Sequence, residues 1–302
     1  MKKILAINYS QTGQLTKIVQ SVLSTMTDDY YSIEHIVFEP KKKFLFPWQQ
    51  ASFFDAMPET VLNEGVEIED LFFKESKYDL IIIGYQPWFL SMSLPTSGLF
   101  KSKKFTDLLF GTPVISIIGA RNMWINAQND FRKELERYGG KLVANIPLID
   151  KNLNLISAVT IQHWMFRGRK DKKWGVFPKP GVSDIDISNA SKFGPLISNA
   201  LINNSFEVLQ YQIVNEGSFQ IKWDILFIES RAKRLFKIWA NLIKTKGLTP
   251  SKRKRWLVYY RIYLTFALFI LSPIILTIYF ILFRVFFLKK EKFKTNMIIN
   301  LK

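Results

Sequence analysis

The sequence has 302 residues, no cysteine and only two histidines. The absence of cysteine excludes disulfide bonds, thiolate metal sites and a cysteine nucleophile, but it does not identify a cellular compartment. The two histidines, His35 and His163, are not spaced as metal ligands, so no metal site is predicted. The first apolar run ends at Ser10 and is too short for a secretory signal, so we expect a cytoplasmic N-terminal half.

Excess positive charge is absent from the first half of the chain and concentrated in the second. The formal net charge is +17; residues 1–150 hold 16 basic and 17 acidic side chains, and residues 151–302 hold 26 and 8. The excess lies beside an apolar segment, which favours an anionic membrane surface over nucleic acid as the partner. No zinc finger or RNA-recognition motif is visible, so no nucleic-acid binding is expected.

Short apolar runs alternate with helical patterns through residues 1–150. This alternation predicts an α/β domain in which helices cover both faces of a parallel sheet. The predicted strands are Ile4–Asn8, Tyr31–Phe38, Asp79–Gly84, 112–120 and 141–148, and the predicted helices are Gly13–Met26, Leu99–Phe110 and Ala127–Tyr138. Ligands of such sheets bind beyond the carboxyl ends of the strands.

Residues 39–75 interrupt this alternation and are treated as an insertion. They include the basic and aromatic stretch "EPKKKFLFPWQQASFFDAMPE" and are too many for a simple loop. The insertion is either a packed surface excursion or a flap that covers a ligand or contacts a membrane.

The loop after the first predicted strand, "SQTGQLT", combines small and hydroxyl-bearing residues at the start of a helix. Converging backbone N–H groups, hydroxyl donors and the helix N-terminus can hold a phosphate without Lys or Arg. Neither the Walker pattern GxxxxGK[ST] nor the dinucleotide pattern GxGxxG is present. The alternative is a well-capped helix start. The candidate phosphate-binding residues are Ser10, Gln11, Thr12, Gly13, Gln14, Leu15 and Thr16.

This loop resembles the FMN phosphate loop of flavodoxin-like proteins, [ST]-x-T-G-x-T. Ser10, Thr12 and Gly13 match that pattern. Leu15 stands where the family often has Thr, and Thr16 carries a hydroxyl one residue later. The resemblance implies FMN as the cofactor and a five-stranded parallel sheet of order 2-1-3-4-5.

Two more loops, 84–98 and 119–130, follow the third and fourth predicted strands. In flavodoxin-like proteins these loops enclose the isoalloxazine ring, which needs aromatic faces and backbone hydrogen bonds. Trp88 and Trp124 either supply such faces or belong to the core. The residues predicted to frame the ring are Pro87, Trp88, Phe89, Leu90, Asn122, Met123 and Trp124.

Acid–base side chains are scarce in these loops, which is typical of an enzyme whose chemistry is carried by a cofactor. Asp130 stands alone, and we expect it to cap a helix or face solvent. The candidates for polarising a carbonyl or moving a proton are Tyr85, Arg121 and His163.

Residues 151–250 are predicted to be a helical extension, with helices at Asp186–Asn203 and Asp224–Lys246. The second is basic and amphipathic, and lies either on a membrane or against the first domain.

Residues 251–302 are predicted to be a membrane anchor, inserted through residues 256–288. The uncharged run Ile262–Phe283 is long enough to span a bilayer. Basic flanks on both sides, and Ser272-Pro273 at its middle, favour a helical hairpin in one leaflet, or an anchor in the plane of the membrane, over a span.

The loops and the tail together resemble bacterial proteins called dialkylresorcinol-condensing enzymes, of flexirubin and aryl-polyene lipid biosynthesis. The resemblance is carried by "KKILAINYSQTGQL", "GYQPWFLSMSLP" and the basic apolar tail. In that pathway a ketosynthase condenses two acyl-derived chains, and a flavodoxin-like partner is thought to act at the aromatisation step. Condensation of the ketosynthase type is not expected here, because the chain has no cysteine nucleophile.

The resemblance implies an FMN-dependent oxidoreductase, with a likeness to NAD(P)H-dependent oxidoreductases, that oxidises a dialkylcyclohexanedione to a dialkylresorcinol. It implies a site at the cytoplasmic face of the inner membrane. The partners expected from it are the lipid-like substrate, a ketosynthase, an acyl carrier protein and a second copy of the chain. The alternative is a membrane-tethered flavodoxin-type electron carrier or scaffold that does not turn over a lipid.

Overall fold

The computed structural model describes residues 1–27, 29–217, 221–279, 281 and 301. Its centre is a parallel sheet of five strands: β1 (Lys2–Asn8), β2 (Tyr31–Val37), β3 (Leu80–Tyr85), β4 (Pro113–Ala120) and β5 (Lys141–Ile149). The strand order is β2-β1-β3-β4-β5, and every neighbouring pair is parallel. This is the doubly wound order of the flavodoxin-like fold, so the predicted fold class is confirmed.

Thirteen α-helices occur in the described part of the chain. They are α1 (Gln14–Leu23), α2 (Gln50–Asp55), α3 (Met57–Val61), α4 (Leu94–Leu99), α5 (Lys103–Thr106), α6 (Ile125–Arg137), α7 (Asn154–Arg167), α8 (Asp184–Asn189), α9 (Phe193–Ile202), α10 (Leu209–Asn215), α11 (Trp223–Lys246), α12 (Pro250–Phe266) and α13 (Ser272–Ile278). The buried side chains form two main core clusters. One contains Ile18 of α1, and the other contains Phe131 of α6, so each helix buries its apolar stripe against the sheet.

The predicted helix at Leu99–Phe110 is wrong. The segment instead contains the end of α4, a break, and the four-residue α5. The helix begins earlier than predicted because Ser93 precedes it in an extended conformation and Pro95 occupies its first turn. A Cβ atom on Gly98 would lie 2.1 Å from the carbonyl oxygen of Val66, so the close approach of the insertion requires glycine here.

The insertion, residues 39–75, is folded and contains α2 and α3. Helix α11 packs against α3, because Ala240 and Ile243 are buried together with Met57 and Val61. Arg253 of α12 adds ion pairs of 2.6 and 2.8 Å to two acidic residues of the insertion, Asp55 and Glu59. The amphipathic helix therefore packs against the protein, as the second alternative expected. The predicted helix Asp186–Asn203 is present as α8 and α9, joined by a 3-10 turn.

The predicted hairpin at Ser272-Pro273 is wrong within the described residues. Helix α12 continues through a π-helical turn, Ala267–Leu271, into α13, so one helix runs over Pro250–Ile278. Proline removes a backbone N–H and displaces the carbonyl four residues earlier, and the wider π-turn accommodates it without ending the helix. Of the predicted anchor, residues 280 and 282–288 lie outside the described residues, as does the basic flank 284–294.

The continuous helix Pro250–Ile278, here called the C-terminal helix, is long and apolar enough to cross a membrane. The mean hydropathy of its 18-residue window is 2.0, and only 6% of that window is buried. No other helix in the described part of the chain is both long enough and apolar enough to cross a membrane. This result rests on helix length and composition alone.

Candidate active site

A cleft of about 490 Å³ opens at the carboxyl ends of β1, β3 and β4. The inner end is formed by the loops that follow these three strands. The insertion, α7, α11 and the C-terminal helix form the remaining walls. The volume lies in the range of small-molecule sites, and the position is where ligands of doubly wound sheets bind.

The loop after β1 supplies hydrogen-bond donors to this cleft. Gln11 and Thr12 line it, and within the described residues their backbone N–H groups have no acceptor. The side-chain Nε2 of Gln11 is also buried without a partner, while its Oε1 accepts a hydrogen bond of 2.9 Å from Trp48 of the insertion. Free donors of this kind, at a helix N-terminus, fit a phosphate group.

Other residues of the same loop hold its shape. Ser10 accepts a hydrogen bond from the N–H of Leu15 at 3.0 Å, and the Thr16 hydroxyl accepts from Asn8 at 2.9 Å. Leu15 is 2% exposed and packs in the core. It therefore does not supply the hydroxyl that a threonine at this position would offer to a phosphate. Gly13 has φ of 75°, the left-handed conformation that favours glycine.

Gln14 ties this loop to the C-terminal half of the chain. Its Nε2 donates to the carbonyl of Val182 at 3.1 Å, and its Oε1 accepts from the N–H of the same residue at 3.2 Å. A segment distant in sequence thus closes one side of the loop after β1.

The loop after β3 forms a tight hairpin in which Pro87 pairs with Met92 and Trp88 pairs with Ser91. The two residues at its tip, Phe89 and Leu90, have φ of 46° and 62°. Positive φ at both tip positions is the type I′ pattern, which Asn-Gly adopts at little cost and Phe-Leu does not. The tip is therefore strained. Pro87, Trp88, Phe89 and Leu90 all line the cleft.

Lys233 of α11 holds this strained hairpin. Its Nζ donates to the carbonyl of Leu90 at 3.1 Å and to the hydroxyl of Ser91. The same Nζ lies 2.7 Å from the carboxylate of Asp130, and both side chains are 18% exposed. The expectation that Asp130 caps a helix or faces solvent is wrong, because it forms a partly buried ion pair with Lys233.

The insertion completes the aromatic wall around Trp88. The ring of Trp88 lies 5.3 Å from Trp48 and 5.0 Å from Phe44, in edge-to-face contacts. Trp48 also meets Phe53 at 5.6 Å. Trp88 therefore both packs in an apolar cluster and lines the cleft, so the two alternatives for it do not exclude each other.

The loop after β4 divides between two cavities. Arg121 and Met123 line the cleft, whereas Asn122 and Trp124 line a smaller cavity of about 80 Å³. Trp124 is 3% exposed and belongs to the core. The structure therefore does not bring Asn122 and Trp124 to the cleft.

Arg121 is the one charged candidate from the sequence that the structure brings to the cleft. It donates hydrogen bonds of 2.9 Å to the backbone and side-chain oxygens of Asn154. Burial lowers its pKa to about 10, against the opposing effects of Asp150 and Glu229. The guanidinium is still protonated at neutral pH.

Tyr85 and His163 lie away from the cleft. Tyr85 is fully buried; its hydroxyl donates to Gln128 at 2.6 Å, and burial raises its pKa well above the usual value. His163 is bonded to Asp171 at 3.0 Å and does not line the cleft. Neither side chain is placed to meet a ligand there.

A buried carboxyl that the sequence did not indicate lies beside these loops. Glu229 of α11 is fully buried, and its Oε1 accepts from the N–H of Asn126 at 2.7 Å, in the first turn of α6. Its Oε2 has no partner within the described residues. Burial raises its pKa from 4.5 to about 7. Glu229 lines the smaller cavity together with Asn122.

Several solved flavoprotein structures are similar to this chain. A flavoprotein from Lactobacillus acidophilus NCFM in complex with FMN is 16% identical, with a TM-score of 0.38, covering 49% of this chain and 93% of that one. Oxidised Flavodoxin 1 from Bacillus cereus is 15% identical, with a TM-score of 0.33, covering 64% of this chain and 95% of its own. Flavodoxin 2 from the same organism is 16% identical, also at 0.33, covering 67% and 99%.

Comparison at the level of sequence gives no family. No family model matches the chain, and a search of the curated proteins gives no significant match. The flavodoxin-like fold rests on the strand order of the chain itself.

Proposed function

We propose that this protein is an FMN-dependent oxidoreductase that acts on a lipid-like substrate, and that the substrate is a dialkylcyclohexanedione which it oxidises to a dialkylresorcinol. The observation that carries the proposal is one continuous cleft. It begins at the phosphate-type loop of Gln11 and Thr12 and ends against the apolar C-terminal helix. The family resemblance of the loops and tail supports the choice of substrate.

The residues of the cleft have distinct tasks in this proposal. The donors of Gln11 and Thr12 hold the phosphate, and Trp88 and Met123 offer flat or polarisable surfaces to the ring. Bound FMN supplies the acceptor for a hydride from a ring carbon of the substrate. The substrate loses a proton as well, so two hydrogens leave and the ring becomes aromatic. Arg121 holds a carbonyl oxygen of the substrate and stabilises the negative charge that develops on it.

The walls of the cleft favour an enzyme over an electron carrier. A carrier exposes the edge of its flavin on a flat docking surface. Here the insertion, α7, α11 and the C-terminal helix surround the strand-end loops and leave a concave, mainly apolar space. Such a space fits a substrate with alkyl chains. The ketosynthase, the acyl carrier protein and a second copy of the chain stay predicted partners.

The first test is flavin binding. The purified full-length protein is expected to show visible flavin absorbance or to quench FMN fluorescence on titration. Thr12→Val removes a hydroxyl donor and keeps the side-chain shape, and we expect about a tenfold loss of FMN affinity. Thr245→Val is the matched control, because the Thr245 hydroxyl donates to its own helix at Asn241. If the parent protein and the Thr245→Val control both fail to bind FMN, the proposal fails.

The second test separates oxidoreductase from carrier. Under anaerobic conditions, the FMN-loaded protein is mixed with a synthetic dialkylcyclohexanedione. The oxidoreductase loses its visible flavin absorbance in one turnover and forms one equivalent of resorcinol. A carrier leaves both unchanged.

A membrane location at the cytoplasmic face of the inner membrane completes the proposal. The C-terminal helix exposes a stripe of apolar residues at helical spacing, consisting of Ile262, Phe266, Ile270, Ile274 and Ile278. Basic residues at the start of the same helix, Lys252, Lys254 and Arg255, are also exposed. Together they suit an anionic bilayer surface or interior.

Liposome flotation tests this location. Changing Phe266, Ile270 and Ile274 to serine is expected to weaken binding to anionic vesicles at least about tenfold, because apolar area is lost from the interface. The control changes Ile185, Val208 and Tyr211, exposed apolar residues outside the helix, to serine. Equal binding by the two variants would contradict the membrane proposal.

A further inference from the structure

The charged side chains that line the cleft are all of one sign. Among the described residues that line it there are three arginines, Arg121, Arg231 and Arg261, and no Asp, Glu or Lys. Arg121 lies on the loop after β4, at the inner end. Arg231 lies on α11 and Arg261 on α12, in the outer wall. The lining is otherwise mostly apolar.

The two outer arginines have only neutral partners within the described residues. Arg231 donates to the carbonyl of Phe227 at 3.0 Å and lies 3.4 Å from the centre of its ring. Arg261 donates to the side-chain oxygen of Gln50 at 3.3 Å. By contrast Arg253, two turns before Arg261 on the same helix, pairs with two carboxylates. Within the described residues, the two cleft arginines therefore carry no carboxylate partner, and both are exposed.

Each of these two helices presents a cation followed by apolar residues on its cleft face. On α11, Arg231 is followed four residues later by Leu235, which also lines the cleft. On the C-terminal helix, Arg261 is followed three residues later by Leu264 and four residues after that by Leu268, and both leucines line the cleft. A cation with an apolar surface beside it matches a ligand that has an acidic head and an alkyl tail. Burial and the nearby Arg234 lower the pKa of Arg231, and a bound anion would oppose this.

We propose that the outer part of the cleft binds an anionic amphiphile, with its oxyanion head at one of the two outer arginines, Arg231 or Arg261, and its alkyl chain along Leu235, Leu264 and Leu268. The head is a singly charged oxygen acid, either a carboxylate or the enolate of a 1,3-dione. For the natural substrate this is the position of entry, and that assignment rests on the proposed function: a cyclohexanedione that enters as its enolate has this chemistry before its ring moves inward to Arg121. The binding site itself does not require FMN.

The experiment compares two ligands that differ in charge. The full-length protein is placed in nanodiscs of zwitterionic lipid, so that no anionic bilayer competes, and is titrated with dodecanoate or dodecanol at about pH 8, where carboxylates are ionised. Trp48, Trp88 and Trp164 line the cleft, and their fluorescence reports binding. Dodecanoate is expected to bind at least about tenfold more tightly than dodecanol.

Arginine variants test which side chains cause the preference for dodecanoate over dodecanol. The single variants Arg231→Met and Arg261→Met identify the arginine that holds the head: that variant and the double variant are expected to reduce the affinity for dodecanoate and to leave that for dodecanol unchanged. Arg234→Met is the matched control, because Arg234 is exposed on the same helix and does not line the cleft. Equal affinity for the two ligands, or an equal loss in Arg234→Met, would overturn the proposal. Thermal unfolding of each variant verifies that it is folded.

A parallel FMN titration separates this proposal from the proposed function. If FMN binds and the protein shows no preference for the anion, the amphiphile site is wrong and the oxidoreductase proposal stands. If the preference is present and FMN does not bind, the amphiphile site stands and the oxidoreductase proposal is wrong.

Discussion

Replacing Lys233 by methionine is expected to lower the free energy of unfolding by about 2 kcal/mol, between the costs of breaking an exposed and a fully buried ion pair. The reason is the partly buried ion pair of 2.7 Å with Asp130, in which both side chains are 18% exposed. Removing Lys233 leaves the carboxylate of Asp130 partly buried without a counter-charge, and this costs more than the loss of an exposed ion pair. Chemical denaturation, analysed at constant m-value, measures the change.

Two further variants test this reason. Lys237→Met changes an exposed lysine of the same helix, one turn away, and is expected to change stability by less than about 0.5 kcal/mol. Adding Asp130→Asn to Lys233→Met removes the unpaired charge and is expected to restore part of the loss. If Asp130→Asn makes the Lys233→Met protein no more stable, the cost does not come from the partly buried carboxylate.

Replacing Lys233 is also expected to weaken FMN binding, because Lys233 holds the strained tip of the hairpin. Lys233 holds the carbonyl of Leu90, and the tip residues Phe89 and Leu90 keep positive φ. Leu90→Gly removes part of the strain, because glycine adopts this conformation without a steric penalty. We therefore expect Lys233→Met to weaken FMN binding less in the Leu90→Gly protein than in the parent. Additive effects would show that Lys233 does not position this turn.

Local patterns in the sequence were sufficient to predict the sheet and the loop between β1 and α1. The apolar runs of β1 and β3 are continuous, and the loop residues Thr12 and Gly13 are neighbours in sequence as well as in space. Hydrophobic periodicity and helix-start chemistry are properties of short windows, so they can be interpreted without tertiary structure.

The walls of the cleft could not be predicted in this way. Asp130 looked isolated because its partner Lys233 lies 103 residues later, and Trp48 meets Gln11 across 37 residues. The aromatic residues of the insertion were visible, but no short pattern indicates which loop they cover. Trp124 shows the reverse error, because its position in a strand-end loop suggested a ligand contact while packing placed it in the core.

The C-terminal helix illustrates a competition between two local rules. Pro273, together with basic flanks, favoured a hairpin, whereas the length of the uncharged run favoured one continuous helix. The chain instead widens the helix to a π-turn over Ala267–Leu271 and continues. Ser272 and Ile275 line the cleft only because the helix continues, since a turn at the proline would redirect the chain beyond it.

Replacing Glu229 by glutamine is expected to stabilise the protein at neutral pH and above. Burial raises the pKa of Glu229 from 4.5 to about 7, although the N–H of Asn126 and the charge of Lys233 favour its ionised form. The folded protein therefore binds more protons at this group than the unfolded chain does between these two values. The free energy of unfolding contributed by Glu229 is fully present below pH 4.5 and falls as the pH rises through about 7.

Glutamine keeps the shape of the side chain and the acceptor oxygen for Asn126, but it cannot ionise. At about pH 8 we expect Glu229→Gln to exceed the parent in stability by an amount on the order of 3 kcal/mol. At about pH 4 the two proteins are expected to be alike. Acidic groups whose pKa is lowered, such as Glu59, give the opposite slope, but they are common to both proteins and cancel in the difference.

Two controls define the origin of this effect. Glu207→Gln changes an exposed acidic residue and is expected to alter stability by less than about 0.5 kcal/mol at either pH. Glu229→Ala removes the acceptor at the start of α6, and it is expected to be less stable than Glu229→Gln by about 1 kcal/mol. A difference between parent and Glu229→Gln that is the same at both pH values would mean that Glu229 does not titrate in this range.

A carboxyl that lowers stability at neutral pH needs a compensating role, because a glutamine would fill the same place. The position of Glu229 suggests one. Its charge acts on the guanidinium of Arg121, whose pKa it raises, and Arg121 lines the cleft. We therefore expect Glu229→Gln to bind FMN with a changed pH dependence between about pH 5 and pH 8, while Glu207→Gln keeps that of the parent. Identical pH profiles for all three proteins would limit Glu229 to capping α6.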